Sequence, residues 1–498
     1  MRKHLAWMRS RPIMTTVVVL CLFAIGAHWL ANWHAERHWQ RYCDTARARG
    51  VKLSMAEFVP PEIPDSENFA ALPMFQALSP RPATPPPSAW MNEIFSPSYT
   101  PHSPMSLFAG KGPLPDFGTP MRGRRIDWKE WQKYFQRAGF ISQTSENAPG
   151  DVLAGLERYS PAIDEWSQWR TRPRARFLVD DQWEGGVGHH GTLLEEAAKL
   201  FALRMRAHLA LGDSASAYED FRNGLQAYVA LKEGPTLISG LTRLSILSFL
   251  VAAVGDGLAE HRWAEPELRK VEADLGTIRI GDDYRLAFAS ERGFTNARLD
   301  AFANASPWSR KEMFSKISGP NPATWIILLI PRCCIRDNQL RMNRNTDELL
   351  ARVSPDGSAF DLDAPNPSGP EHITGPLEKV DLYLFRMAAP ALTLTADHYF
   401  RMAIKLRQSL LACALERFRL ANGVFPETLT ELVPVFIAEA PSDIYSGKPM
   451  IYRRKGSESF LLYSVGPNRI DDHGVVDPHK RETQQLDEVW YFAPVGAP

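Results

Sequence analysis

The stretch that decides the fold of the C-terminal part reads Asn422-Gly423-Val424-Phe425-Pro426-Glu427-Thr428-Leu429. Before it, apolar residues recur at helical spacing over about 377–420, which predicts a long amphipathic helix with Pro390 as a candidate interruption. The Asn-Gly pair and the following proline indicate a turn. The chain after this turn is short and strand-rich, so residues 377–498 are predicted to form an α+β module, a long helix plus a small antiparallel sheet.

The two faces of this long helix differ in chemistry. Its apolar stripe is expected in the core and comprises Ile404, Leu406, Leu410, Leu411, Cys413, Ala414, Leu415 and Phe418. Its charged residues are expected in solvent and are Arg401, Lys405, Arg407, Glu416 and Arg419.

Length and charge limit the classes of protein to be considered. At 498 residues the chain exceeds the roughly 250–300 at which one core stops growing, so more than one packed unit is expected. The 57 basic residues equal the 57 acidic ones, which disfavours nucleic acid as a partner. Five scattered cysteines without a CxxC pair predict core thiols, and neither a disulfide framework nor a zinc site. They are Cys21, Cys43, Cys333, Cys334 and Cys413.

The N-terminus carries a candidate membrane anchor. Residues 13–33 are apolar and uncharged, and at about 1.5 Å per residue they span the ~30 Å hydrocarbon layer of a bilayer. Trp29 and Trp33 stand where an interfacial aromatic belt lies. Basic residues precede the run, so the N-terminus is predicted to stay cytoplasmic while the rest is translocated, although arginines beyond the run weaken this argument. A cleaved signal peptide is the alternative, but the run is long for one and no clear cleavage site follows.

The middle of the chain is predicted to be helical. Three helices are indicated at about 192–211, 215–231 and 236–258. The first two form a hairpin similar to a tetratricopeptide unit, and a single hairpin is too few for a repeat array. The third is apolar nearly all round, which indicates a buried position, and Arg243 makes it a poor second membrane span.

The predicted organisation is mainly α with a C-terminal α+β module. Prolines concentrated at 79–120 indicate an extended connector, and a second Pro/Gly-rich break lies at 353–376. The predicted divisions are a cytoplasmic tail and transmembrane signal anchor at 1–36, a short helix and connector at 37–126, an extracytoplasmic α-helical domain at 127–352, a linker at 353–376 and the module at 377–498.

Several motifs resemble parts of catalytic sites. Gly212-Asp213-Ser214 matches the start of an esterase motif, but it lies between two helices, where Asp213 or Ser214 is better explained as an N-cap. His189 and His190, in a glycine-rich loop, have acidic neighbours at Asp180, Asp181, Glu195 and Glu196. These residue types leave a metal or hydrolase site open, but their spacing matches no known ligand motif.

Two further acidic residue–histidine pairs were considered and are interpreted as structural. They are Glu371-His372 and Asp397-His398, and the chain has no nucleophile-elbow serine for either to serve.

Three segments of the C-terminal part resemble major pseudopilins of type II secretion systems. They are 414–429, with its Asn-Gly-Val-Phe-Pro turn, 441–449, with Pro-Ser-Asp-Ile-Tyr-Ser-Gly, and 462–468, with Leu-Tyr-Ser-Val-Gly. The resemblance covers roughly residues 406–492, and it implies a helix followed by a small antiparallel sheet. The whole arrangement also resembles uncharacterised single-pass bacterial envelope proteins. The leader, processing glycine and glutamate that begin a pseudopilin are missing here, so assembly into a pseudopilus is not expected.

The pseudopilin resemblance implies a calcium site in the loop after the Leu-Tyr-Ser strand. Asn468 stands where the family has its first aspartate and Asp487 where it has its second, and Asp471 and Asp472 lie between them. Oxygen ligands gathered in a loop suit calcium. Asn468 is neutral and Arg469 is close by, so a solvated acidic turn without an ion is an equal alternative.

These features predict a single-pass protein of the bacterial inner membrane with most of the chain periplasmic. We expect a binding or structural role with protein partners in the envelope. No catalytic residue is assigned, and calcium is the one candidate cofactor. The alternatives are a component of a secretion or pilus-like assembly and a hydrolase with a site near His189 and His190.

Overall fold

The computed structural model is mainly helical, with a three-stranded antiparallel sheet near the C-terminus. It describes residues 12–76, 105–107, 113–117, 125–177, 189–318, 325, 330–365, 368–373, 375, 378, 381–476 and 486–491. The predicted proline-rich connector lies largely outside the described residues.

The α-helices follow in chain order. They are α1 Pro12–Ala48, α2 Pro73–Gln76, α3 Trp128–Ala138, α4 Ala148–Leu156, α5 Ser160–Trp169, α6 His189–Ala210, α7 Ser214–Ala230, α8 Leu237–Ala259, α9 Glu265–Gly276, α10 Ile280–Asn304, α11 Pro307–Ser318, α12 Arg332–Ala351 and α13 Tyr383–Asn422. Short 3₁₀ turns occur at Met55–Phe58, Phe69–Ala71, Glu157–Tyr159, Pro370–His372 and Leu429–Leu432. The strands are β1 Ile451–Arg454, β2 Phe460–Ser464 and β3 Glu488–Tyr491.

The chain divides into two compact units, each built from three stretches. Unit 1 comprises Met1–Phe58, Ala289–Leu350 and Pro365–Thr393, and unit 2 comprises Val59–Phe288, Ala351–Ala364 and Leu394–Pro498. The linear domain ranges read from the sequence stay predictions.

Unit 1 contains α1, whose two halves differ in environment. The half up to Trp33 is exposed, with Leu22 63% and Phe23 75% accessible. In the half beyond it, Ala35, Trp39, Cys43 and Ala46 are buried at helical spacing. Three of them, Trp39, Cys43 and Ala46, join one hydrophobic cluster. A second cluster of unit 1 is formed by Leu299, Phe302, Ala303, Phe314, Ile335, Met342, Ile373, Leu382, Leu384, Phe385 and Ala389.

Unit 2 contains the predicted helical hairpin, which is confirmed as α6 and α7. Gly212 makes the tight connection at φ +82°, a conformation that favours glycine. The side chain of Asp213 caps α7 by accepting a hydrogen bond from the Ser216 amide at 3.0 Å. The Ser214 hydroxyl accepts from the Ala264 amide. The cap explanation of Gly212-Asp213-Ser214 is therefore confirmed.

The helix α8 lies inside unit 2. Most of its residues are buried, including Leu247, Leu250 and Val254. Its charged residue Arg243 is also buried, where it donates to the Asp283 carboxylate at 2.5 Å and to the Tyr228 carbonyl at 3.2 Å. A buried charge is tolerated when it is paired in this way.

The long helix α13 differs from its prediction in its extent and in the burial of two charged residues. It begins at Tyr383 and continues through Pro390. The solvated positions assigned to Arg401 and Glu416 are wrong, because both side chains are buried. Each is paired with an opposite charge, Arg401 with Glu488 and Glu416 with Arg419. Helical periodicity located the stripe but not these buried ion pairs.

The predicted antiparallel sheet is confirmed, with strand order β1-β2-β3. In the register, Tyr452 faces Leu462, and Leu462 faces Trp490. All five residues of the central strand β2 are buried. Gly423 adopts φ +79° at the end of α13, as a helix-terminating Asn-Gly turn requires.

The cysteines differ from their prediction in part. All five are free thiols, but only Cys43 and Cys413 are buried. Cys333 and Cys334 are half-buried, and Cys21 is exposed in the apolar half of α1.

Candidate functional site

The loop between β2 and β3 holds the four residues predicted to bind calcium. Three of them form one hydrogen-bonded chain. The Asn468 amide donates to Asp472 at 2.7 Å, and the Asp472 backbone amide donates to Asp487 at 3.4 Å. Asp471 points elsewhere, and its carboxylate accepts from the Tyr463 hydroxyl and the His473 amide, both at 2.8 Å.

The carboxylates of this loop are in different electrostatic environments. Burial, together with the charges of Asp472 and Asp471, raises the pKa of Asp487, although amides of Gly474 and Asp472 oppose it. The hydrogen bond from Tyr463 lowers the pKa of the exposed Asp471. A buried carboxylate beside other carboxylates is a place where a cation would relieve repulsion.

A glycine conformation and a side-chain hydrogen bond define the base of this loop. Gly466 has φ +65°, and a Cβ there would lie 1.9 Å from the Leu486 carbonyl oxygen, so only glycine fits. The Gln408 side chain donates to the Glu488 carbonyl at 2.6 Å. The residues fit calcium in part, because hydrogen bonds link Asn468 to the Asp472 carboxylate and the Asp472 backbone amide to Asp487, whereas the Asp471 carboxylate accepts from Tyr463. Among the described residues no group of three or more His, Cys, Asp or Glu side chains forms a metal site.

The proposed hydrolase site is described only in part. His190 lies in the first turn of α6, with its ring stacked on Phe177 at 4.1 Å between centroids. Glu195 and Glu196 form ion pairs with Lys199 at 3.0 and 3.2 Å. Asp180, Asp181 and the side chain of His189 lie outside the described residues. The hydrolase alternative stays a prediction.

The other acidic residue–histidine pairs are placed as follows. Glu371 and His372 lie in a 3₁₀ turn, 3.6 Å apart and more than half exposed. Asp397 and His398 lie on α13, where burial raises the pKa of Asp397 against the nearby charges of Arg401 and Arg352.

A cleft in unit 1 is a site that the sequence did not reveal. Its volume is about 460 Å³, within the range of small-molecule sites. Side chains of both charges and an aromatic ring line it, among them Trp39, Cys43, Arg47, Asn296, Asp300 and Arg336. Gly293 lets α10 approach the 54–55 backbone, because a Cβ there would lie 2.9 Å from the Met55 nitrogen.

A buried polar network lies beneath this cleft. Arg336 on α12 is hydrogen-bonded to Asp300, to Gln339 at 2.6 Å and to Glu36 at 2.9 Å. Asn343 donates to the Asn296 side chain at 2.7 Å. Buried polar side chains cost free energy unless they are hydrogen-bonded, and a satisfied network of this kind holds the lining side chains in fixed positions.

The chemistry of the cleft favours binding over catalysis. Burial raises the pKa of the Cys43 thiol to about 11, so the thiol stays protonated near neutral pH and is a poor nucleophile. Arg336 and Asp300 offer a donor and an acceptor to a ligand. The cleft therefore suits a small polar molecule that carries both donors and acceptors.

A sequence signal for this site existed in α12. The helix carries Asn338, Gln339, Asn343 and Asn345, all buried, where a helix normally buries apolar residues. Amide-rich helix faces are ordinarily interpreted as solvent-facing, so helical periodicity gives no indication that this face is buried.

A buried charge cluster in unit 2 was also missed. The fully buried Glu416 accepts from His261 Nδ1 at 3.0 Å and from Arg419 at 2.7 Å. Burial alone would raise the pKa of Glu416, but the hydrogen bonds from Arg419 and His261 outweigh it and hold the pKa below its usual value.

No family model matches the chain, and no curated protein or solved structure matches it either. The resemblance to pseudopilins therefore rests on the quoted residues, and the function has to be argued from geometry.

Proposed function

We propose that this chain is a single-pass inner-membrane protein of the bacterial envelope with a binding role in the periplasm. The main observation in support of this proposal is the exposed apolar half of α1. Its 18-residue window has a mean hydropathy of 1.6 and is 0% buried. Soluble monomers rarely expose a continuous apolar surface of this size, whereas a bilayer would cover it.

The continuity of α1 supports an anchor over a cleaved signal peptide. The same helix that exposes Phe23 buries Trp39 and Cys43 in the core of unit 1 without a break between them. A signal peptide is removed from the mature protein and needs a cleavage site in an extended segment. An unbroken helix entering a folded core leaves no such segment.

The experiment that tests this proposal is protease treatment of spheroplasts. Arg2, Lys3, Arg9 and Arg11 precede the span, so the positive-inside rule places the bulk of the chain outside the cytoplasm. We expect digestion of everything beyond about Trp39 and survival of a small membrane-bound fragment. Lysed spheroplasts serve as the control. An intact chain that is protected until lysis would overturn the orientation, and release of the intact chain by alkaline carbonate would overturn the anchor.

The binding role is assigned to the unit 1 cleft. Native mass spectrometry of the detergent-extracted full chain should reveal a small-molecule adduct. Ala297 lines the cleft and is exposed, so Ala297→Trp should fill the cleft and remove the adduct. Ala388→Trp is the matched control, an exposed alanine of unit 1 outside the cleft lining. The absence of any adduct, or an equal adduct in both variants, would argue against binding here.

A second candidate is a component of a secretion or pilus-like assembly that keeps calcium in its C-terminal loop. The observation in its favour is the buried Asp487 carboxylate, which accepts from the Asp472 and Gly474 backbone amides in the loop that also contains Asn468. A calcium ion there would supply charge neutralisation to these carboxylates. At a hundredfold excess over Kd, binding to the native state alone adds about 2.7 kcal/mol of stability.

Melting of the full chain in calcium and in chelator tests this candidate. We expect calcium to raise the melting temperature of the wild type and to leave Asp487→Ala unchanged. Asn468→Asp should enlarge the calcium shift, because it adds the carboxylate that the pseudopilin resemblance implies at this position. Identical wild-type curves in both conditions would favour the acidic turn without an ion.

A further inference from the structure

An exposed pair of tryptophans lies on unit 1, away from the apolar half of α1 in sequence. Trp308 is 66% and Trp325 is 54% accessible, and their ring centroids are 6.4 Å apart in an edge-to-face arrangement. Lys311 lies against both rings, with Nζ 3.5 Å from the centroid of Trp325 and 5.6 Å from that of Trp308. We name these three residues the tryptophan patch.

Exposure of this kind is uncommon elsewhere in unit 1. Beyond α1, the described residues of this unit expose three large hydrophobic side chains, and two of them are the tryptophans of the patch. An exposed tryptophan pair combined with a lysine is typical of the membrane–water interface, where the rings lie at headgroup level and the ammonium meets phosphate.

Hydrogen bonds attach the patch to the chain that follows it. Arg310, which lies between Trp308 and Lys311 in sequence, donates to the carbonyls of Phe302 at 2.7 Å and Ala303 at 3.1 Å. The same guanidinium donates to the Ile330 carbonyl at 2.9 Å. Arg310 is itself buried, so this junction is part of the folded core of unit 1.

The chain after Ile330 leads directly to the end of the apolar run. The Cys333 amide donates to the Asn32 side chain at 2.8 Å. Cys333 is three residues after Ile330, so the two lie at most about 10 Å apart. Two further ion pairs keep this alignment, because Arg332 and Arg336 both contact Glu36, at 3.2 and 2.9 Å. The N-terminus of α12 therefore lies beside residues 32–36 of α1.

The height of these contacts relative to a bilayer follows from α1. Asn32 is one residue before Trp33, the last residue of the apolar run. The headgroup layer on each side of the hydrocarbon is about 5–8 Å thick. A patch joined to Asn32 through Arg310, Ile330 and Cys333 thus belongs to the part of unit 1 that is linked to the end of the span.

We propose that Trp308, Lys311 and Trp325 form a second membrane contact, inserted in the headgroup layer of the leaflet at which α1 emerges. This inference rests on the proposed anchoring of α1. The occupant of the patch is the lipid surface itself, because the attachment to Asn32 puts the patch at that surface and its residue types suit it. Unit 1 is then held against the membrane at two places, which restrains its tilt.

Site-specific photocrosslinking of the full chain in inner-membrane vesicles tests this proposal. Benzoylphenylalanine is placed singly at positions 308 and 325, both exposed aromatic sites where the substitution keeps a large ring. Position 23 in the span reports anchoring, and the exposed position 44 on the docked half of α1 reports the aqueous background. Adducts are identified by mass spectrometry, and unchanged melting temperatures show that the variants fold.

The outcomes separate this inference from the proposal on which it rests. We expect phospholipid adducts at 23, 308 and 325 and none at 44. A lipid adduct at 23 with none at 308 and 325 overturns the tryptophan patch and leaves the anchor standing. No lipid adduct at 23 overturns the anchor. A protein adduct at 308 or 325, whether to another protein or to a second copy of this chain, overturns the lipid assignment in favour of a protein interface.

Discussion

The first half of α1 and the helix α8 pass the same test of length and composition for a membrane span, yet they lie in different environments. The tested window of α1 is 0% buried, whereas that of α8 is 56% buried. The mean hydropathy is even higher for α8, at 1.9 against 1.6. Hydropathy measures how favourable it is for side chains to leave water. It does not tell whether a helix leaves water by packing against other elements of the chain or by entering a bilayer.

The largest expected effect comes from the buried charge of α8. Asp283→Ala would leave Arg243 buried without its carboxylate, and removal of one partner of such a pair costs about 3–5 kcal/mol. We expect a large fall in the melting temperature of the detergent-solubilised chain. Asp282→Ala is the control, because its exposed pair with Arg279 contributes little. Equal effects of the two substitutions would contradict burial of α8 in a packed core.

The next effect compares one leucine from each helix. Leu250 is fully buried, so Leu250→Ala should cost about 2–5 kcal/mol of unfolding free energy through lost contacts and a cavity. Leu22 is 63% accessible, so Leu22→Ala should leave the melting temperature nearly unchanged. The difference in melting temperature between the two variants measures how differently the two helices are buried. A similar loss of stability for both leucines would contradict that difference.

A third prediction extends the comparison to polar burial in α12. Asn343 is 1% accessible and donates to Asn296 and to the Gln339 carbonyl, so Asn343→Ala should cost about 1–3 kcal/mol by leaving partners unsatisfied. The exposed neighbour Arg344 provides the control substitution Arg344→Ala. If thermal unfolding showed no difference between the two variants, the network beneath the cleft would not be formed in solution.

The last prediction concerns the pH dependence of one buried carboxylate in unit 2. Asp220 lies 3.0 Å from Arg204 and 3.6 Å from His208, and burial raises its pKa from 3.8 to about 7. The folded state then holds the proton more tightly than the unfolded state, so this residue lowers stability as pH rises from about 4 to about 7. Above that window its contribution is constant.

Melting temperatures across this pH range check the sign. Asp220→Asn should gain stability relative to the wild type as pH rises through the window and keep a constant difference above it. Asp213 is the contrasting residue, because hydrogen bonds from Ser216 lower its pKa and its stabilisation is lost as pH falls. A pH profile of Asp220→Asn parallel to that of the wild type would show that Asp220 titrates normally.

Local patterns in the sequence predicted the elements of this fold well where a short-range rule applies. The turn at Gly212, the Asp213 cap and the Asn422-Gly423 stop depend on neighbours within a few residues, and all three are present. The predicted α+β ending is also present as α13 and a three-stranded sheet. The calcium site stays a prediction: hydrogen bonds link Asn468, Asp472 and Asp487, whereas the Asp471 carboxylate accepts from Tyr463.

The cleft of unit 1 escaped prediction because its residues are distant in sequence. Trp39 and Arg336 are brought together by packing of helices that lie about three hundred residues apart in the chain. Periodic patterns within a helix do not predict which distant helix packs against it. The tryptophan patch escaped for the same reason, since its connection to Asn32 depends on Arg310 and on the Cys333 amide.

The sequence by itself determined the apolar span, the helical middle, the turn residues and the strand-rich end, because these follow from the chemistry of residues close together along the chain. Only the tertiary structure decided which charges are buried. Arg243, Arg401 and Glu416 belong to helices whose patterns allow either face, and each was buried where a partner of opposite charge lies within reach. The partners Asp283, Glu488 and His261 come from distant parts of the chain, and no local pattern contains them. Arg419, the other partner of Glu416, is three residues further along the same helix.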